Sequence, residues 1–178
     1  YINNKDEFTL NASLIINKKP KLGIIYAPAK NRLFYTYGNR SSFELINNKE
    51  IKISCEKKTK INQIKAVTYS EKLKPLIVDF HDKFGVTDYQ KMKSSLKFCV
   101  VATGEFQVYA AEPRAREWDI AAGHAIIKNS GGVITDFDGK EFMDNLSEKQ
   151  NLDNSLVDKF APKIVEGTKR LKAWVEST

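Results

Sequence analysis

The segment from Glu117 to Val133 constrains this chain more than any other. Glu117-Trp118-Asp119-Ile120-Ala121-Ala122-Gly123-His124-Ala125-Ile126-Ile127 is rich in small and apolar residues, and Asn129-Ser130-Gly131-Gly132 brings it to a stop. That order predicts a helix with Asp119 as its N-cap. On spacing alone, the carboxylate need only satisfy free backbone N–H groups and complement the helix dipole. The neighbours leave a second use open. Ala121, Ala122 and Gly123 keep the first turn nearly bare, so an anion, a phosphate or a metal can approach the helix start.

The rest of the chain falls into two patterns. Phe8 to Ile16, Leu22 to Tyr26, Leu33 to Tyr37, Phe43 to Ile46 and Ile51 to Ser54 are short β-rich runs separated by turn residues, which predicts an antiparallel meander within residues 1–60. From residue 61 to 144 strand and helix alternate. Ala66 to Tyr69 reads as strand, Leu73 to Phe84 as a helix ended by Gly85, and Val86 to Tyr89 as strand. A helix capped by Ser94 then runs to Gly104, Phe106 to Ala110 is strand, and Val133 to Thr135 is strand after the Asp119 helix. The chain is therefore expected to be α/β, a meander followed by an alternating α/β unit. Residues 145–178 carry only an imperfect helical stripe through Leu156, Phe160, Ile164, Leu171 and Val175, broken by Pro162 and Gly167. They read as a terminal helical tail, packing or forming a homodimer, with no chemistry assigned.

Charge excludes less than it suggests. The net charge is +7, and the whole excess sits in residues 1–60, with twelve Lys or Arg against five Asp or Glu. Those lysines cluster in turn-like stretches such as Asn17-Lys18-Lys19-Pro20 and Lys57-Lys58-Thr59-Lys60, read more simply as solvated loops than as a nucleic-acid groove. No nucleic-acid-binding motif stands behind them. Cys55 and Cys99 form no metal or redox motif and read as buried free thiols in a reducing compartment. No run approaches the roughly 18 apolar residues of a membrane span, so cytoplasmic placement is the expectation.

Trp118-Asp119-Ile120-Ala121-Ala122-Gly123-His124-Ala125, followed by Gly131-Gly132 and Asp136 to Gly139, resembles the C-terminal signature of the inositol monophosphatase superfamily. Ser94-Ser95-Leu96-Lys97-Phe98-Cys99 and the Ala-Gly-His form of the helix resemble its 3′(2′),5′-bisphosphate nucleotidase branch. The resemblance runs from about Tyr1 to Phe142. It implies an α+β layered sandwich of the sugar-phosphatase type and hydrolysis of a small-molecule phosphate ester by water activated between Mg²⁺ ions, with lithium inhibition. Cations are needed there because a phosphate ester is a poor electrophile until its charge is neutralised.

The resemblance makes Asp119 a metal ligand, Lys97 a phosphate contact and Ser94 a nucleotide contact. The bland alternative for Lys97 is a surface lysine on an amphipathic helix. Glu112 lies seven residues before Asp119, where inositol monophosphatases place a substrate-hydroxyl contact. Glu112-Pro113-Arg114-Ala115-Arg116 departs from the Gly-Pro-Thr-type segment of the nucleotidases, and Arg114 and Arg116 are either second-phosphate contacts or rim charges. Lys72 stands where the nucleotidase branch has an adenosine-side His. His124 reads as a packing histidine and His81 as a residue on an exposed helix face.

The family's Asp-Pro-Ile/Leu-Asp-Gly-Thr motif, which supplies most metal ligands, has no copy here, and the sequence opens on Tyr1, which resembles the aromatic just after it. The expectation is that the motif lies immediately upstream and that the polypeptide as written is catalytically incompetent without it. The reading is a 3′(2′),5′-bisphosphate nucleotidase releasing AMP and phosphate from 3′-phosphoadenosine 5′-phosphate. The alternatives are an inositol-1-phosphate phosphatase, a non-catalytic nucleotide-binding fragment and, on charge alone, an RNA-binding domain.

Overall fold

The computed structural model describes residues 6–56, 63–112 and 115–141. The expected meander forms as five antiparallel strands in chain order: β1 (Leu10–Ile16), β2 (Lys19–Ala27), β3 (Arg32–Thr36), β4 (Ser42–Ile46) and β5 (Lys49–Ile53). Asn17-Lys18 and Asn47-Asn48 join neighbouring strands as two-residue turns with all four residues at positive φ, between 48° and 60°. Such turns match the twist of the strands they join, and asparagine tolerates the left-handed backbone.

The second pattern forms a parallel sheet of order β7-β6-β8, from β6 (Ile64–Thr68), β7 (Val86–Lys91) and β8 (Val108–Tyr109). Helix α1 (Pro75–Lys83) carries the chain from β6 to β7, and α2 (Leu96–Ala102) from β7 to β8. The last helix, α3 (Glu117–Asn129), lies across β1, β2 and β3 and packs against α2. One apolar core joins the two sheets through that helix pair: Ile25 and Phe34 from the meander, Val67 from the parallel sheet, Cys99 and Val100 from α2, Ala122 and Ile126 from α3.

Two glycines set how closely α3 approaches. A Cβ on Gly23 would stand 2.4 Å from the backbone oxygen of Ala122, and one on Gly123 would stand 2.3 Å from Cγ of Phe98. The first contact fixes α3 against β2, the second α2 against α3. Arg32 ties the meander to the loop after α2, with Nε 2.7 Å from Glu44 and Nη2 2.6 Å from Glu105.

Several expectations are corrected. Asp119 is not the N-cap: α3 begins two residues earlier, Arg116 holds the cap position, and Asp119 falls at N3. Ser94 is not a cap either. It takes a left-handed φ of 58°, and Ser95 precedes the first turn of α2. Val133 to Thr135 forms no strand, because beside it Thr135 makes only an isolated bridge to Glu141 and Val133 is 81% exposed. Cys99 is buried as expected, but Cys55 is only half-buried; burial pushes its thiol pKa up. The tail, residues 145–178, lies outside the described residues. No helix among the described residues is long and apolar enough to cross a membrane.

His81 is buried, not exposed, because the apolar stripe of α1 rotates it inward beside Ile77. Its Nε2 has no hydrogen-bond partner among the described residues, and burial holds its pKa below the ordinary histidine value, against a weaker opposing pull from Asp82. The unfolded chain therefore binds this proton more readily than the folded one. Stability is predicted to fall as pH drops below ~6.5, the unfolded histidine value. In urea titrations between neutral pH and ~5, a His81→Gln variant should lose less stability than the parent; equal losses would contradict the assignment. A separate test concerns packing: Gly23→Ala is predicted to cost at least ~1–3 kcal/mol in the same titrations, because its methyl group meets backbone, which cannot rotate away.

Candidate active site

Parallel strands bring their carboxyl ends to one edge, and in open α/β sheets that edge is where ligands bind. Here the chain leaves β6 through Tyr69 to Lys74, β7 through Met92 to Ser95 and β8 through Ala110 to Glu112, all at that edge. These exits meet. Lys74 pairs with Glu112 at 2.9 Å, and the ammonium of Lys97 lies 5.4 Å from the centre of the Tyr109 ring.

The first turn of α3 is joined to this edge through a single hydroxyl. Ser95 Oγ donates to the backbone carbonyl of Asp119 at 3.1 Å and accepts from Asn11 Nδ2 at 2.8 Å. The Ser95 N–H also reaches Thr9 Oγ1 at 3.4 Å. Strand β1, the start of α2 and the start of α3 thus converge on Ser95, which is itself 7% exposed. At N3 of α3, Asp119 turns one oxygen back: Oδ2 accepts the Arg116 backbone N–H at 3.1 Å, while the Asp119 N–H donates to the Arg116 carbonyl at 2.9 Å. This closes the first turn as the backbone half of a capping box does. The residue is solvent-exposed, and its Oδ1 has no hydrogen bond among the described residues.

Lys97 is buried, at 7% exposed, so the surface-lysine alternative does not hold. Its Nζ donates to the Ser94 carbonyl at 2.5 Å, and the left-handed backbone at Ser94 turns that oxygen toward it. A buried ammonium needs such partners, since an unpaired charge in the interior is costly. Phe98 stacks edge-on against Tyr109, fixing the face of α2 that presents Lys97. Asp119 and Lys97 are thus both bonded to the Ser94-Ser95 pair, Asp119 through its backbone carbonyl to Ser95 Oγ and Lys97 through Nζ to the Ser94 carbonyl. Glu112 sits on the same edge, engaged with Lys74. Arg116 is exposed at the cap of α3, and Arg114 lies outside the described residues. His124 is buried within α3, as a packing histidine would be.

Sequence reasoning missed Ser95 and Asn11, which are 84 residues apart, and Tyr109. The doubled serine before Lys97 was the available signal for Ser95. Among the described residues, no group of three or more His, Cys, Asp or Glu side chains is placed to hold a metal ion. Asp119 can supply one oxygen ligand, because one carboxylate oxygen remains for a hard cation after the capping bond is made.

The inositol monophosphatase family model matches residues 1–170. The chain belongs to that family. The match takes in most of the tail that sequence reading left unassigned. Among its relatives is the 3′(2′),5′-bisphosphate nucleotidase CysQ of Buchnera aphidicola, 32% identical over 158 residues, covering 87% of this chain and 57% of that protein. A fructose-1,6-bisphosphatase/inositol-1-monophosphatase of Thermotoga maritima is 27% identical over 176 residues, covering 93% of this chain and 64% of the relative. Among solved structures, CysQ from Bacteroides thetaiotaomicron superposes with a TM-score of 0.62 at 30% identity, over 74% of this chain and 55% of the other. The chain spans less than two thirds of the length of each. The α/β sandwich of the family is the fold observed here.

If Ser95 is the hub, its loss should be felt through Asn11. Ser95→Ala is predicted to cost ~1 kcal/mol in chemical denaturation, the usual scale for a part-buried hydrogen bond. Asn11→Ala added to it should cost less than it does alone, because the shared bond is already gone. Fully additive losses would show that the two residues act independently.

Proposed function

We propose that this family member forms part of a Mg²⁺-dependent phosphomonoesterase, a 3′(2′),5′-bisphosphate nucleotidase that converts 3′-phosphoadenosine 5′-phosphate to AMP and phosphate. The observation that carries the reading is that Asp119, in the first turn of α3, and the buried Lys97 are both bonded to the Ser94-Ser95 pair at the start of α2. Similarity to the CysQ nucleotidases supports the nucleotide as substrate.

Each residue has a chemical task in this reading. Asp119 would offer one oxygen to Mg²⁺, and among the described residues no group of three or more His, Cys, Asp or Glu side chains completes a site. Bound Mg²⁺ would neutralise phosphate charge and lower the pKa of attacking water. Lys97 holds a positive charge at the carboxyl edge of the parallel sheet, attracts the phosphate and favours the charge that builds on its oxygens. The N-terminus of α3 adds its backbone dipole in the same sense. Tyr109, beside Lys97, offers a flat apolar surface at the edge where a base could lie. Glu112 favours a second reading, an inositol-phosphate phosphatase, since a carboxylate at this edge can accept a sugar hydroxyl. Its ion pair with Lys74 shows it already oriented at that edge.

The test is phosphate release with Mg²⁺ by the protein from its full natural reading frame, comparing 3′-phosphoadenosine 5′-phosphate with inositol-1-phosphate. The nucleotide is predicted to turn over faster. Asp119→Asn should lower kcat by at least ~100-fold, as loss of a metal ligand worth several kcal/mol requires. Lys97→Met should raise KM for the nucleotide and lower kcat/KM. Faster turnover of the inositol ester would favour the second reading, and turnover of neither would remove the enzymatic one.

A further inference from the structure

The opposite end of α3 carries a feature the proposed activity does not use. A cleft of about 670 Å³ opens there between the β1–β2 turn, the β3–β4 loop and the Gly131-Gly132 segment. Its lining holds Lys19, Lys21, Arg40, Lys52 and Lys128, and Glu56 is the one carboxylate among the described lining residues. Ten residues of helix separate Asp119 from Asn129 at the cleft, about 15 Å along the axis.

Two ordinary uses for these cations do not account for them. Cations gather at helix C-termini to satisfy carbonyls and the dipole, but the carbonyls of Ala125, Ile126 and Ile127 near the end of α3 are already taken. Asn129 Nδ2 donates to the Ala125 carbonyl at 2.9 Å, Ser42 Oγ to the Ile126 carbonyl at 2.7 Å, and Gly132 N–H to the Ile127 carbonyl at 3.0 Å. The Ser130 carbonyl takes the Cys55 N–H at 2.9 Å. Nor are three of the five cations spent on ion pairs among the described residues. Lys128 is paired with Glu141, whose carboxyl pKa is held low chiefly by Lys128 and less by Lys19. Lys21, Arg40 and Lys52 have no carboxylate partner among the described residues.

The backbone holds these charges in place. Lys19 follows a two-residue turn whose members, Asn17 and Lys18, both have positive φ. Lys21 is the extra residue where the β1–β2 register shifts, between Leu22 paired with Leu14 and Pro20 paired with Ile15. Arg40 is anchored through its backbone N–H, which donates to Asn129 Oδ1 at 3.1 Å. A concave site lined by five cations, three of them with no carboxylate partner among the described residues, suits a small anion of high charge density. Its volume lies within the range of small-molecule sites.

We propose that this cleft binds a small polyphosphate anion, of nucleotide size or below, at a site separate from the Asp119 cluster. The site does not depend on Mg²⁺ and stands independently of the phosphatase reading.

The test is calorimetric titration of the protein with tripolyphosphate in EDTA at low salt, beside the Asp119→Asn variant and the Lys21→Ala/Arg40→Ala double variant, each checked for native circular dichroism. One site is expected, weakened about tenfold or more in the double variant and within about twofold of the parent in Asp119→Asn, with affinity falling as salt rises. If the double variant does not fold, Lys52→Glu supplies the charge change from a different strand and is expected to weaken binding similarly. No detectable binding, unchanged binding in the cleft variants, or loss in Asp119→Asn would overturn the proposal. So would much tighter binding of a single-stranded RNA oligomer than of tripolyphosphate, which would make the surface a nucleic-acid contact.

Discussion

Gly23 has no side chain because the backbone of α3 occupies the space where one would be, 2.4 Å from the Ala122 oxygen. That approach presses the helix onto β2. Gly123, on the same helix, admits the Phe98 ring and so sets α2 against α3. With both contacts made, Ser95 at the start of α2 falls within hydrogen-bond distance of Asp119 at the start of α3. The site geometry therefore follows from close packing one turn further along the helix, since packed interiors transmit displacement with little slack.

The two ends of α3 are finished by different chemistry. Its N-terminus has exposed groups, Trp118 and Asp119 among them, and an Asp119 oxygen that makes no hydrogen bond among the described residues. At its C-terminus the carbonyls of Ala125, Ile126 and Ile127 accept from Asn129, Ser42 and Gly132, so these three need no lysine or arginine to satisfy them. The positive charge of the first third of the chain is thus partly gathered at one cleft, not spread over solvated loops as its turn-like sequence suggested.

The meander was legible because turn residues separate its strands at short, even spacing, and strand alternation survives in the residues themselves. The helix from Glu117 was equally legible, but its starting point was not. Whether Asp119 sits at N-cap or N3 depends on whether Glu117 and Trp118 join the first turn, and both have backbone preferences compatible with either outcome. The inward turn of His81 was hidden for a similar reason: a helix stripe with Leu76, Val78 and Phe84 exposed does not show which of its faces the sheet will cover. Ser95 and Asn11 were invisible because their bond joins residues 84 apart, and nothing local marks either as a partner. The resemblance to a known family identified Asp119, Ser94 and Lys97 residue by residue. It could not tell that Lys97 would be buried against Ser94 and Tyr109.

The central claim is that the start of α3 is the metal-binding end of the molecule. Paramagnetic broadening by Mn²⁺, added in place of Mg²⁺ to isotopically labelled protein from its full natural reading frame, tests it directly. Amide signals of Trp118 to Ala121 and of Ser94 to Lys97 are predicted to broaden at substoichiometric Mn²⁺, those of Asn129 to Gly132 to stay sharp, and the effect to disappear in Asp119→Asn. Broadening centred on the other end of the helix, or none that depends on Asp119, would contradict the account.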